Sequence, residues 1–137
     1  MQNTAFRLLQ HGDPNDWLRP CALTPVDKFT TDDSNELDYI FFQNQDRSVI
    51  AGVWQSPPME WRFDSGHPVH EMISVIFGSV TMIDDDGEEE TFGPGDVFFI
   101  AKGKRCSWRN VETVRIQYTM TSGDGSIVQT LPPNGDL

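Results

Sequence analysis

Two histidines and a glutamate fall within five positions in His67-Pro68-Val69-His70-Glu71. Imidazole and carboxylate side chains so close in sequence suit two kinds of chemistry: ligation of a divalent metal and proton transfer. Glu71 is the candidate general acid or base. With Cys106 added, the set Glu71, Cys106, His67 and His70 would form a mixed metal site, and its thiolate would favour Zn over Fe or Mn. Tight binding needs several ligands to converge. The reading adopted is therefore no resident cofactor, with a divalent Zn, Fe, Mn or Ni ion as the alternative. Glu71 then becomes a pocket carboxylate that orients a ligand or pairs with Arg62 or Arg115, and Cys106 a small buried hydrophobe. Trp54 and Trp108 offer ring faces to a small ligand, a cation or a planar ureido or guanidino group, whereas Trp61 reads as core packing. Arg115 could anchor a carboxylate, and Arg62, Asn110 and Tyr118 complete the candidate ligand-binding residues.

Strand parity decides which of these side chains can meet, because successive residues of a strand face opposite sides. Glu71, Ile73, Val75 and Phe77 share one face, and His70, Met72, Ser74 and Ile76 the other. With Glu71 inward, His70 points outward. His67 points inward only if the chain is already extended before Pro68. Cys106, Trp108 and Asn110 alternate with Arg105, Ser107 and Arg109. Burying Cys and Trp and exposing Arg is the cheaper arrangement, so Cys106, Trp108 and Asn110 are expected to line the lumen.

The elements that carry these residues are strands. Extended stretches at Tyr39–Phe42, Val49–Trp54, Trp61–Phe63, Met72–Met82, Asp96–Ile100, Arg105–Asn110 and Thr113–Thr121 are separated by turn signals about every 8–12 residues, the spacing of a sandwich or barrel. No window has a helical period. Asp86-Gly87 suits a two-residue hairpin, Gly93-Pro94-Gly95-Asp96 a type II turn, and Lys102-Gly103-Lys104 a further tight turn. The acidic run Asp84–Glu90 lacks the alternation of an EF-hand loop and reads as a solvated hairpin. One domain is expected over 1–137, with an N-terminal arm over 1–36, a barrel over 37–121 and a tail over 122–137.

Composition narrows the partners. The 137 residues include 10 Lys and Arg against 21 Asp and Glu, a net charge of −11. Clustered cations for nucleic acid or an anionic membrane are lacking, so neither is expected as a partner. No apolar run reaches the ~20 residues of a membrane span, no signal peptide is recognised at Met1–Gln10, and two distant cysteines fit free thiols in the cytoplasm.

The ordered set Gly52-Val53-Trp54-Gln55-Ser56-Pro57, Glu71, Gly78, Thr91-Phe92-Gly93-Pro94-Gly95-Asp96, Gly103, Cys106, Trp108, Arg115 and Tyr118 resembles the cupin superfamily. It looks most like single-domain cupins related to ureidoglycine aminohydrolase and to ethanolamine-utilisation cupins. The resemblance covers about Gly52 to Tyr118 and implies an all-β, RmlC-like cupin jelly-roll barrel of two antiparallel sheets. Many cupins hold a divalent metal with an H-x-H pair, a Glu and a later His. Glu71 stands at the position of that Glu and Cys106 at that of the later His, while Asp64 and Gly66 occupy the spacing of the missing pair. Asn110 matches a frequent Asn, Ile116 replaces a common Lys, and Ala101 replaces a common Pro. The expected function is binding of a small polar or nitrogenous metabolite in the lumen, in catabolism. The alternatives are a metal-dependent aminohydrolase acting on a C–N bond and a metal-free sugar isomerase or epimerase using Tyr118 and His67. A homodimer is the expected assembly, since two-fold dimers predominate among oligomers.

Overall fold

The computed structural model describes residues 18–122, so most of the expected tail and the first half of the arm lie outside the described residues. Ten strands follow in order: β1 (Arg19–Cys21), β2 (Glu36–Gln43), β3 (Val49–Ser56), β4 (Met59–Phe63), β5 (His70–Phe77), β6 (Val80–Asp84), β7 (Glu89–Phe92), β8 (Val97–Ile100), β9 (Cys106–Asn110) and β10 (Val114–Thr121). A single 3₁₀ turn, Val26–Lys28, is the only helical element among the described residues, and none is long and apolar enough to cross a membrane.

All strand pairs are antiparallel. A six-stranded sheet runs β1-β2-β3-β10-β5-β8 and a four-stranded sheet β4-β9-β6-β7. Non-sequential neighbours such as β3-β10-β5 are what a jelly roll requires, with the chain changing sheet at every connection from β3 onward except β6–β7. The two inner faces pack Ile50, Ile73, Val75, Val80, Ile116 and Trp108 into one core. Alternation explains this directly: Glu71, Ile73 and Val75 of β5 are buried, while Met72 is exposed.

Two turns differ in detail from expectation or carry weight later. The acidic hairpin is closed by Asp84 N–H to Glu88 O at 2.8 Å and Gly87 N–H to Asp84 O at 2.9 Å. It is thus a three-residue loop with Gly87 at φ +92°, not a two-residue one. A type I turn with a bulge places its glycine in this way. The Lys104 N–H bonds Ala101 O at 3.1 Å, closing the expected tight turn. This turn supports the segment that brings His67 inward.

Candidate functional site

A cavity of about 530 Å³ opens between the two sheets. Its wall is mostly apolar, with Met59, Val69, Ile116 and Met120 beside Trp54, Trp61 and Trp108. Into it project the buried polar residues Glu36, Asp38, His67, Glu71 and Tyr118. Such a profile, apolar walls with a few oriented polar groups, is that of a small-molecule site.

His67 reaches the cavity through backbone geometry. Its N–H donates to Lys104 O at 2.8 Å and its C=O accepts from Gly103 N–H at 2.8 Å. The chain before Pro68 is therefore docked on the 101–104 turn, which gives His67 the inward parity. Gly66 makes this approach possible: its φ is +93°, and a Cβ there would lie 2.6 Å from Gly103 O. His67 Nε2 and Glu71 Oε1 are 2.8 Å apart, both side chains buried. An ionised carboxylate only accepts, so Nε2 then carries the hydrogen. Nδ1 is buried with no partner among the described residues. Glu71 is thus paired with His67 and not with Arg62 or Arg115.

A second polar pole comes from β2. Tyr118 donates its hydroxyl to Asp38 Oδ1 at 2.8 Å. To do so its ring crosses β3 at Gly52, the register partner of Tyr118, where a Cβ would lie 2.5 Å from the phenolic oxygen. Burial, with the Glu36 charge beside it, pushes the Asp38 carboxyl up to about 7, against the lowering effect of the Tyr118 hydroxyl. Burial and then the Asp38 charge push the Tyr118 phenol well above its ordinary value. Glu36 is only 2% exposed and accepts from Leu23 N–H (3.1 Å), Thr24 N–H (3.0 Å), Thr24 Oγ1 (2.9 Å) and Trp54 Nε1 (2.7 Å). It straps the segment after β1 onto the barrel and orients the Trp54 ring.

The remaining sequence candidates are distributed differently from expectation. Trp54 and Trp108 meet edge to face at 5.7 Å in the wall. Trp61, read as core packing, also lines the cavity, stacked on Phe63 at 5.1 Å. Asn110 is not a wall residue. Its Nδ2 donates to Pro57 O (3.0 Å) and Glu112 O (2.9 Å), and its Oδ1 accepts from Trp108 Nε1 at 2.9 Å. It holds Trp108 and the β3–β4 connection in place. Arg115 lies on the opposite face of β10, over the Phe77 ring at 4.7 Å and donating to Gln55 Oε1 at 2.8 Å. Arg62 stands at the cavity's half-exposed edge, bonded to Asp64 and Asp85 at 2.6 Å each.

The proposed metal ligands do not converge. His70 points to the outer face, where its Nδ1 accepts from Lys102 N–H at 3.1 Å and its ring stacks on Phe99. Cys106 is buried against a separate recess beside the acidic hairpin, and burial pushes its thiol up. Among the described residues the only three potential ligands close enough to share an ion are Asp84, Asp86 and Glu88 on that hairpin. With Asp64 and Gly66 in place of the H-x-H pair, Glu71 is the one cupin ligand position that keeps its family side chain on the cavity, with His67 as the one imidazole beside it. That set does not fit the cupin metal centre.

The residues not anticipated are Thr24, Glu36 and Asp38. Their signal was the period-two series Glu36, Asp38, Ile40, which competes with the more apolar series Leu37, Tyr39, Phe41 one register away. The structure buries the acidic series.

The family model of the EutQ-like cupin domain matches residues 43–118. A search of curated proteins found no match. Among solved structures, a protein of unknown function in the DUF861 family from Pseudomonas syringae superposes with TM-score 0.69 at 26% identity, over 80% of this chain and 46% of that one. The chain thus spans about half the length of that relative. A putative ethanolamine utilization protein Q from Salmonella typhimurium gives TM-score 0.52 at 24% identity, over 66% of this chain and 72% of that one. An RmlC-like cupin from Shewanella frigidimarina gives 0.55 at 14% identity, over 72% and 86%, and shares the fold.

Proposed function

The chain belongs to the EutQ-like cupin family, and from that premise we propose that it binds a small nitrogenous metabolite in the barrel lumen without a resident metal. The observation that carries this reading is the apolar cavity of about 530 Å³ with two buried polar poles, His67–Glu71 and Asp38–Tyr118. The Trp rings wall the body of the ligand and the poles orient it. A thermal-shift screen of ureides, amines and sugars tests it, run on untagged protein before and after chelator dialysis. One of these classes raises the melting temperature in both samples. Stabilisation seen only before dialysis, or by none of the classes, contradicts the proposal.

Catalysis is the second reading, favoured by one feature. Two hydrogen-bonded acid–base pairs face one cavity, so a proton could leave a ligand at His67–Glu71 and return from Tyr118, as the isomerase alternative requires. Exchange of a ligand C–H in deuterated water, lost in both Glu71→Gln and Tyr118→Phe, tests it. The aminohydrolase alternative relied on a metal-bound water, for which the His67 and Glu71 pair alone is a poor holder. The proposal includes a cytoplasmic homodimer. Its mass by light scattering is twice 15.5 kDa, and a mass of 15.5 kDa contradicts it.

A further inference from the structure

The buried polar poles of the cavity have spent their hydrogen-bond donors within the protein. Thr24 Oγ1 and Trp54 Nε1 donate to Glu36, Tyr118 to Asp38, and Trp108 Nε1 to Asn110. His67 Nε2 faces Glu71. Outside this set stand the half-buried Trp61 and the edge residue Arg62, which Asp64 and Asp85 hold. What remains unspent is acceptor capacity. Glu71 Oε2 has no hydrogen-bond partner among the described residues, and Tyr118 engages only one oxygen of Asp38.

Charge leans the same way. Glu36, Asp38 and Glu71 are 2%, 4% and 8% exposed, and among the described residues no Lys or Arg pairs with any of them. Buried carboxylates without a cation are costly. A cation entering this space gains charge-assisted hydrogen bonds and the faces of indole rings together. An anion would meet the buried carboxylates of Glu36 and Glu71.

We propose that the ligand of this cavity is an organic cation that donates hydrogen bonds from its charged nitrogen, a primary ammonium or a guanidinium, held between Glu71 and Asp38. This assignment rests on the small-molecule reading above and selects within it. The raised Asp38 carboxyl fits, since a cation placed against it offsets both its burial and the neighbouring Glu36 charge.

Calorimetric titration of the full chain with size-matched probes tests it: methylguanidinium against methylurea, and butylammonium against butanol and butanoate. The expected result is that at least one cation binds at least ~10-fold more tightly than its neutral partner and that butanoate does not bind, the ratio that one charge-assisted hydrogen bond supplies. Glu71→Gln, which can still accept from His67, lowers the cation affinity at least ~10-fold and the neutral affinity by less, so that the cation-to-neutral ratio falls. Asp38→Asn serves the same purpose if Glu71→Gln fails to fold. Binding of a neutral probe or butanoate as tight as the cation overturns the cation assignment and leaves the small-molecule reading standing. Absence of binding by every probe, and by the ureide and sugar panel, overturns both.

Discussion

Asp38 and Glu71 are both inward-facing carboxylates, and their surroundings set them apart. Asp38 sits beside Glu36 and shares a hydrogen bond with Tyr118, and burial pushes it up to about 7. An acid whose folded pKa is raised binds more protons folded than unfolded between the two values. Stability then falls as pH rises, starting near the ordinary carboxylate value, about 4, and levelling off above about 7. Ionising Asp38 above that range costs of order 2–4 kcal/mol. Asp38→Asn is therefore more stable than the parent at pH 8 by about that amount, and the difference vanishes near pH 4. Denaturant melts at the two pH values check this, and a gap independent of pH contradicts it. Cys106 is 2% exposed with its thiol pushed up by burial, so a thiol reagent labels it only after unfolding. Rapid labelling of Cys106 in the native protein contradicts its placement.

At the scale of elements, the site depends on two connections. The segment ending at Pro68 must dock on the 101–104 turn, and Gly66 allows it. Gly66→Ala meets both a φ of +93° and the Gly103 carbonyl, and costs about 1–3 kcal/mol while moving His67. Asn110 holds the β3–β4 connection against β9. Asn110→Ala strands the Trp108 indole N–H and the Pro57 and Glu112 carbonyls and costs about 2–4 kcal/mol. Melts of both variants test these values, and an unchanged melting temperature contradicts the connection concerned. The alternation of β5 and β10 was legible in the sequence, because Ile and Val recur at every second position around Glu71 and Tyr118, although Phe77, expected inward with them, is exposed where the register shifts between Arg115 and Ile116. The lumen side of β2 was not. Two period-two series overlap in ELDYIF, and the choice between them rests on Gly52, which lets Tyr118 reach Asp38, and on the Glu36 hydrogen bonds. Those partners lie 80 and 18 positions away, beyond what local pattern reports. Parity likewise put Cys106 and Trp108 on one face correctly, but not in one cavity. Trp108 lines the cavity, whereas Cys106 borders a second recess with Asp84 and Phe98.

As a whole, the molecule is an acidic shell around an aromatic cavity. The net charge of −11 surrounds buried carboxylates that no Lys or Arg of the described residues pairs with, so the field favours entry of cations. Affinity for a cationic ligand consequently falls with ionic strength more steeply than affinity for a neutral one. The proposed function gives metal no part in holding this barrel together, since His67, His70, Glu71 and Cys106 do not converge. Dialysis against chelator leaves the melting temperature unchanged, whereas near-stoichiometric Zn, Fe, Mn or Ni whose removal lowers it contradicts the donor set described. The most direct test of a ligand-binding lumen follows the indole N–H resonances of Trp54, Trp61 and Trp108 during titration with butylammonium or methylguanidinium. The account predicts that these three resonances shift together and saturate at one stoichiometric equivalent. Binding that leaves them in place, while moving resonances of the outer face such as those of Met72 and Phe99, contradicts it.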